Sequence, residues 1–102
     1  MKNLFTGIPT TLKNELCDVL LQNENISIKR IVSQGQTSPP SGWYDQAQNE
    51  WVVVLKGEAI IEFENKQVYL NTGSYLNIPA RTRHKVSWTS DKCETIWLAI
   101  FY

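Results

Sequence analysis

Cysteine and histidine are scarce in this sequence, since Cys17, Cys93 and His84 are the only residues of these types among 102. The two cysteines lie far apart and form no C-x-x-C pair of the kind found in zinc or redox motifs. We expect two reduced, buried thiols with a structural role, and a single disulfide between them stays open. The sequence therefore gives no sign of thiol chemistry.

Long hydrophobic runs and an excess of one charge are also absent. The longest apolar run, residues 96–102, is far shorter than the roughly 20 residues that a membrane helix needs. The N-terminus has no hydrophobic segment of the secretory type. Ten basic and ten acidic residues cancel, whereas proteins that bind nucleic acid usually carry a basic excess. We predict a soluble, cytoplasmic protein that binds neither membranes nor nucleic acid.

Short strands dominate the pattern that remains. At 102 residues, the chain has the length of one domain and can bury a core without a disulfide or a metal ion. After Gly42, short apolar or alternating segments follow one another, separated by turns rich in Gly, Asn and Asp. In one of them Ala59, Ile61 and Phe63 share a face. We predict a single all-β domain, with a barrel over residues 26–102 and an N-terminal segment over residues 1–25.

The N-terminal segment carries the only helical signal. Pro9 suits a first turn, and the leucines and valine up to residue 21 approximate a period of 3.6. A strand over residues 18–22 is the alternative, because it would lead through a turn into the alternating residues 26–32. We predict a short N-terminal helix. The last strand has no polar alternation, so we expect cover on both faces, by the opposite sheet and by a helix or a second subunit.

Two spaced motifs relate the chain to a known family. Glu50 and Gly57 are separated by six residues, and Gly73, Pro79 and His84 are separated by five and four. These patterns resemble the two motifs of the cupin superfamily, and the resemblance covers residues 26–101. It implies a jelly-roll β-barrel, also called a double-stranded β-helix, of the small single-domain bacterial type with a conserved barrel.

The resemblance also implies where a metal ion would bind. In typical metal-binding cupins, two histidines one residue apart, a glutamate and a later histidine bind one divalent ion on inward-facing strand positions. Glu50 and His84 match the last two of these ligands. Tyr44 and Gln46 stand where the first two histidines are expected. Half of the ligand set is therefore kept.

The missing histidines limit the chemistry of such a site. Because His84 is the only histidine, a three-histidine Zn, Ni or Fe centre is excluded within one subunit. With a longer gap, the two histidine positions would fall on Trp43 and Asp45. An oxygen-rich site stays open, since Gln46 or Asp45, with Glu50, His84 and water, suits Mn²⁺, Fe²⁺ or Mg²⁺. We expect metal binding to be weak or lost.

Five residues are candidates for binding or catalysis. Glu50 and His84 form a carboxylate–imidazole pair that could shuttle a proton. Tyr44 suits a general acid or a hydrogen-bond donor, beside Gln46 in the same polar wall. Arg81, which stands where the motif usually has glycine, suits a carboxylate or phosphate group of a ligand. Each has a plain structural alternative. Arg81 would be a solvated loop residue, and the other four would form a buried polar network without a ligand.

Three functions are compatible with this pattern. The leading hypothesis is a small-molecule-binding cupin with a polar pocket of Tyr44, Gln46, Glu50 and His84. The second is an enzyme, such as an oxygenase or isomerase, that depends on Mn, Fe, Ni or Zn or on acid–base chemistry. The third is a structural or interaction module whose barrel is filled by side chains. We expect a homodimer, because small jelly rolls expose sheet edges that pairing covers.

Overall fold

The protein is an all-β structure, as predicted. It is seen here in a computed structural model that describes residues 2–102, and these residues form two antiparallel sheets and no helix. The strands are β1 (Leu16–Gln22), β2 (Ser27–Ser33), β3 (Glu50–Lys56), β4 (Ala59–Phe63), β5 (Lys66–Leu70), β6 (Tyr75–Ile78), β7 (His84–Thr89) and β8 (Thr95–Phe101). One sheet has the order β1-β2-β8-β3-β6, and the other has the order β5-β4-β7.

The predicted N-terminal helix is wrong. Residues 2–22 contain no helix, and Leu16–Gln22 form β1, which pairs with β2 in antiparallel register. A helix of about 13 residues is marginal by itself, whereas the free edge of β2 offers a complete ladder of backbone hydrogen bonds. The alternative strand, which leads through a turn into β2, is the observed arrangement. Its apolar residues Val19, Leu20 and Leu21 are exposed, because β1 is an edge strand.

The hydrophobic core lies between the two sheets. The predicted alternation of β4 is confirmed, since Ala59 and Ile61 are buried and Phe63 packs against the core. On the inward face of β8, Trp97 and Ala99 are buried and Phe101 is half-buried. On the other face Ile96 is buried, but Leu98 and Ile100 are only half-buried. No helix among residues 2–102 covers that face, and its cover by a second subunit stays a prediction. The buried core consists of Val52, Val54, Ala59, Ile61, Leu70, Ile78, Trp97 and Ala99.

Both cysteines are free thiols, but the expected burial is wrong. Cys17 and Cys93 are exposed. Cys17 lies on the edge strand, where one side of the backbone has no neighbouring strand, and Cys93 lies in the turn before β8. Among residues 2–102, no helix reaches the length and apolar character that crossing a membrane requires.

Candidate functional site

A cavity of about 220 Å³ lies between the two sheets, and Tyr44, Gln46, Glu50 and His84 all line it. The structure thus brings together the four residues that the sequence assigned to a polar pocket. Most of the remaining wall is apolar, with Ile31, Val52, Ile61, Ile78, Val86, Trp97 and Phe101. The interior is not filled by side chains, which argues against the filled-barrel module.

Strand alternation places Glu50 and His84 in this cavity. They are the first residues of β3 and β7, which belong to different sheets. Two residues further along each strand, Val52 and Val86 line the same cavity, as expected for side chains that alternate between two faces. The two polar side chains meet across the barrel, with His84 Nε2 lying 3.3 Å from Glu50 Oε1.

The hydrogen bonds of His84 fix the orientation of its ring. Nδ1 lies 2.8 Å from the carbonyl oxygen of Thr82, which only accepts, so Nδ1 carries a proton and Nε2 faces Glu50. Burial disfavours the charged imidazolium, but the bonds to Glu50 and Thr82 outweigh it. The pKa of His84 is therefore raised above its usual 6.5. This favours an imidazolium–carboxylate pair inside the barrel.

Gln46 and Tyr44 complete the polar cluster around this pair. Gln46 donates its side-chain N–H to Glu50 Oε1 at 3.0 Å. The backbone of Tyr44 bridges to that of His84 through N–H···O bonds of 2.7 and 3.1 Å, which sets the two rings 5.5 Å apart between centroids. Burial raises the pKa of Tyr44 above 10, although a hydrogen bond with Ser38 opposes this shift. The phenol is therefore protonated and can donate to a ligand.

Asp45 and Arg81 lie outside the cavity lining. The side chain of Asp45 is half-exposed, and the Arg81 guanidinium lies 3.5 Å from it on the outer surface. Arg81 has a φ of 62°, a left-handed conformation that glycine adopts most easily, and its N–H bonds to the carbonyl of Gln46 at 2.8 Å. This explains why glycine is usual there. The ligand-binding role of Arg81 and the metal-binding role of Asp45 stay predictions that this geometry does not favour.

Four further residues, which were not predicted from the sequence, line the cavity. They are Glu15, Cys17, Lys29 and Ser38. Glu15 and Cys17 are two residues apart. In a strand, residues at this spacing point to the same face, so a strand prediction for this segment would have placed both in the cavity. Although Cys17 is exposed as a residue, partial desolvation of its thiol raises its pKa, so the thiol is a poor nucleophile near neutral pH. Cys17 therefore adds no reactive group to the cavity.

The donor set does not fit a tight metal centre of the usual cupin kind. Only His84 Nε2 and Glu50 Oε1 converge, and the Gln46 amide directs its N–H, which is not a metal ligand, toward Glu50. Among residues 2–102, no group of three or more His, Cys, Asp or Glu side chains is placed to hold a metal ion. A single imidazole and one carboxylate leave a transition metal without most of its protein ligands.

The sequence profile of the cupin domain family matches residues 30–101. The chain belongs to the cupin family. The solved structure of a Ralstonia eutropha protein, provisionally named a mannose-6-phosphate isomerase, is 41% identical to this cupin and has a TM-score of 0.93. The match covers 99% of this chain and 95% of that one. A comparison with curated proteins finds no match.

More distant structures share the fold of this cupin. A cupin superfamily protein from Desulfitobacterium hafniense has a TM-score of 0.77 at 20% identity, over 92% of this chain and 82% of that one. A protein from Thermus thermophilus has a TM-score of 0.79 at 15% identity, over 99% of this chain and 94% of that one. At these identities the similarity supports the jelly-roll architecture alone.

Proposed function

We propose that this cupin binds a small polar molecule in its barrel and acts in the cytoplasm as a binding or sensing protein. The observation that carries the proposal is the cavity itself, which is open and lined on one side by a hydrogen-bonded polar cluster. Its 220 Å³ holds roughly seven water-sized groups. Apolar walls with a few convergent polar groups are typical of small-molecule sites.

The polar cluster offers both donors and acceptors to such a ligand. The Glu50 carboxylate accepts from Gln46 and faces His84, which leaves its other oxygen available to a ligand hydroxyl. The protonated phenol of Tyr44 donates. Because Thr82 fixes the His84 ring, these groups are held in place before a ligand arrives. The arrangement therefore suits a hydroxyl or carbonyl group.

Thermal-shift screening of small metabolites tests this proposal. A ligand at 100 times its dissociation constant stabilises the folded state by about 2.7 kcal/mol, which should raise the melting temperature by more than about 10 °C. His84→Ala should abolish the shift, because it removes one side of the polar cluster. The exposed turn variant Asn65→Ala is the matched control and should keep it. A ligand that stabilises His84→Ala as strongly as the unmodified protein would contradict the placement of the site.

The second candidate function is an isomerase-like enzyme. The Ralstonia eutropha relative and the Glu50–His84 pair favour it, since a carboxylate and an imidazole in contact can exchange a proton with an oxygenated substrate. Its metal-dependent form predicts a bound divalent ion. We expect protein purified without chelators or an affinity tag to contain less than about one-tenth equivalent of every divalent metal. A full equivalent would instead support the metal-dependent enzyme.

We also propose that this cupin forms a homodimer. Val19, Leu20 and Leu21 are exposed side by side on the edge strand β1. On the outer face of the five-stranded sheet, Leu98 and Ile100 are only half-buried. Exposed apolar edges of this kind favour pairing between two copies of the chain.

A further inference from the structure

The cavity contains a second polar group, which we call the Glu15 group and which consists of Glu15, Ser33, Ser38 and Tyr44. The hydroxyl of the fully buried Ser33 donates to Glu15 Oε2 at 3.3 Å. Ser38, also buried, lies beside the side chains of both Glu15 and Tyr44. Glu15, Ser38 and Tyr44 line the cavity. Glu15 and Ser33 lie outside both cupin motifs.

Specific hydrogen bonds bring the chain before β1 to this position. Leu12 donates its backbone N–H to Gln34 Oε1 at 2.8 Å, and Gln34 donates its amide to the carbonyl of Thr10 at 3.1 Å. Gln36 donates its amide to the carbonyl of Leu12 at 2.9 Å. These bonds tie residues 10–12 to the loop after β2. The position of Glu15 is therefore fixed by structure on its N-terminal side and by β1 on the other.

Strand register places the backbones of Glu15 and Glu50 at different levels of the five-stranded sheet. Glu50 lies opposite Phe101, the last residue of β8. Leu16, which follows Glu15, lies opposite Val32, and Val32 lies opposite Ile96 near the start of β8. In register, Glu15 and Glu50 thus lie toward opposite ends of the five-stranded sheet. Their side chains line the same cavity, where Tyr44 lies beside His84.

Stability alone gives no reason for a carboxyl group at this position. Burial raises the pKa of Glu15, and the neighbouring Glu50 adds to the effect, while the bonds with Ser38 and Ser33 only partly oppose it. An amide or an apolar side chain would avoid the desolvation of the carboxylate. Residues that cost stability in a cavity are typical of functional sites.

We propose that Glu15 is a ligand-binding residue of this cupin. The cavity takes a small uncharged molecule with two oxygen functions, one held by Glu50 and His84 and the other by Glu15 and Tyr44. The short carbon chain of the ligand packs on the apolar wall. This inference rests on the proposed binding function and specifies the class of ligand.

Charge and size narrow that class to short diols and hydroxyketones. The cavity lining carries two carboxyl groups, Glu15 and Glu50, and one cation outside the Glu50–His84 pair, Lys29. The Lys29 ammonium lies 4.9 Å from the centre of the Phe101 ring. His84 offsets Glu50 and Lys29 offsets Glu15, which leaves no further cation in the lining for a phosphate ester. The volume suits a chain of roughly three to six carbons.

The test compares three sets of probes by NMR, with the imidazole of His84 as the reporter because it is the only histidine. The first set contains linear mono-alcohols, and the second contains diols and hydroxyketones of equal carbon number. The third pairs glycerol 3-phosphate with glycerol, its uncharged counterpart. We expect the best two-oxygen compound to bind at least about tenfold more tightly than the mono-alcohol of equal length. Glycerol 3-phosphate should bind more weakly than glycerol.

Variants then show whether Glu15 causes the difference. Glu15→Ala should reduce the affinity for the two-oxygen compound to that for the mono-alcohol. Glu15→Gln, whose amide can donate and accept, should restore this affinity to within about threefold of that of the unmodified protein. Ser38→Ala, which leaves Glu15 in place, should weaken binding in the same direction and serves if Glu15→Ala does not fold. Glu24→Gln, in the exposed turn after β1, should change nothing.

The outcomes separate the two proposals. If the two-oxygen compound keeps its advantage in Glu15→Ala or Ser38→Ala, or if the phosphate ester binds as tightly as glycerol, the role of Glu15 is overturned while binding at Glu50 and His84 stands. If no probe of any set shifts the His84 resonances, the proposed binding function itself fails. Loss of the advantage in Glu15→Ala, with recovery in Glu15→Gln, supports both.

Discussion

Glu50→Gln is expected to lower the pKa of His84 below its value in the unmodified protein. Burial of the imidazole, which disfavours its charged form, remains in the variant, but the carboxylate that outweighs it is gone. A glutamine amide can also donate to the unprotonated Nε2, which favours the neutral ring. Because His84 is the only histidine, an NMR titration of its ring carbons and protons follows this one group without overlap.

The same change should alter the pH dependence of stability. The pKa of His84 is raised in the folded protein, so its contribution to stability is fully present below the unfolded value of about 6.5. That contribution is lost as the pH rises through the folded pKa. In Glu50→Gln this loss should shrink or change sign, measured as the free energy of unfolding in urea across pH 5 to 9.

Glu50→Gln should also weaken ligand binding by about 10- to 100-fold, since a hydrogen bond to a charged group contributes about 1.5–3 kcal/mol. Glu24→Gln removes a carboxylate from an exposed turn and is the matched control for charge. It should leave the His84 pKa and the affinity unchanged. An unaltered His84 pKa in Glu50→Gln would show that the two side chains do not interact as the 3.3 Å contact implies.

The sequence was sufficient to predict the centre of the candidate site. Glu50 and His84 meet because each begins a strand whose alternation points it inward, and motif spacing alone indicates both strands. The inward positions of Tyr44 and Gln46 were predicted from the same period of two. The position of Asp45 outside the cavity lining agrees with the same period, since Asp45 lies between them.

The N-terminal side of the cavity could not be predicted in the same way. The apolar residues near Leu16 satisfy a helical period and a strand almost equally, and only the free edge of β2 decides between them. With a helix assumed there, nothing brings Glu15 near Ser33 and Ser38. Long-range pairing, not local preference, therefore determined which second carboxyl group enters the barrel.

Gly57→Ala is expected to destabilise the fold more than any of the other substitutions considered for this cupin. Gly57 lies in the turn between β3 and β4 with a φ of 94°. A Cβ added there would lie 2.5 Å from Thr95 Oγ1, 2.7 Å from Thr95 Cα and 2.8 Å from the carbonyl oxygen of Glu94. The fully buried Thr95 cannot move freely, because its hydroxyl donates to the carbonyl of Glu58 at 3.1 Å.

The expected loss is about 2–5 kcal/mol, from a left-handed conformation that costs an alanine about 1–2 kcal/mol and overpacking that costs about 1–3 kcal/mol. Gly73→Ala is the matched control, because Gly73 has a φ of 89° but no atom within 4 Å of an added Cβ. It should lose about 1–2 kcal/mol, the conformational part alone. Urea unfolding of both variants measures the difference.

The comparison decides what the first motif's glycine contributes to the site. If Gly57→Ala loses no more stability than Gly73→Ala, the close approach to Thr95 is not restrictive, and the glycine serves only the turn. If the loss is larger, the turn after β3 is held tightly against the start of β8. Because Trp97 follows Thr95 by two residues on β8 and lines the cavity, that contact helps to hold the apolar wall in place.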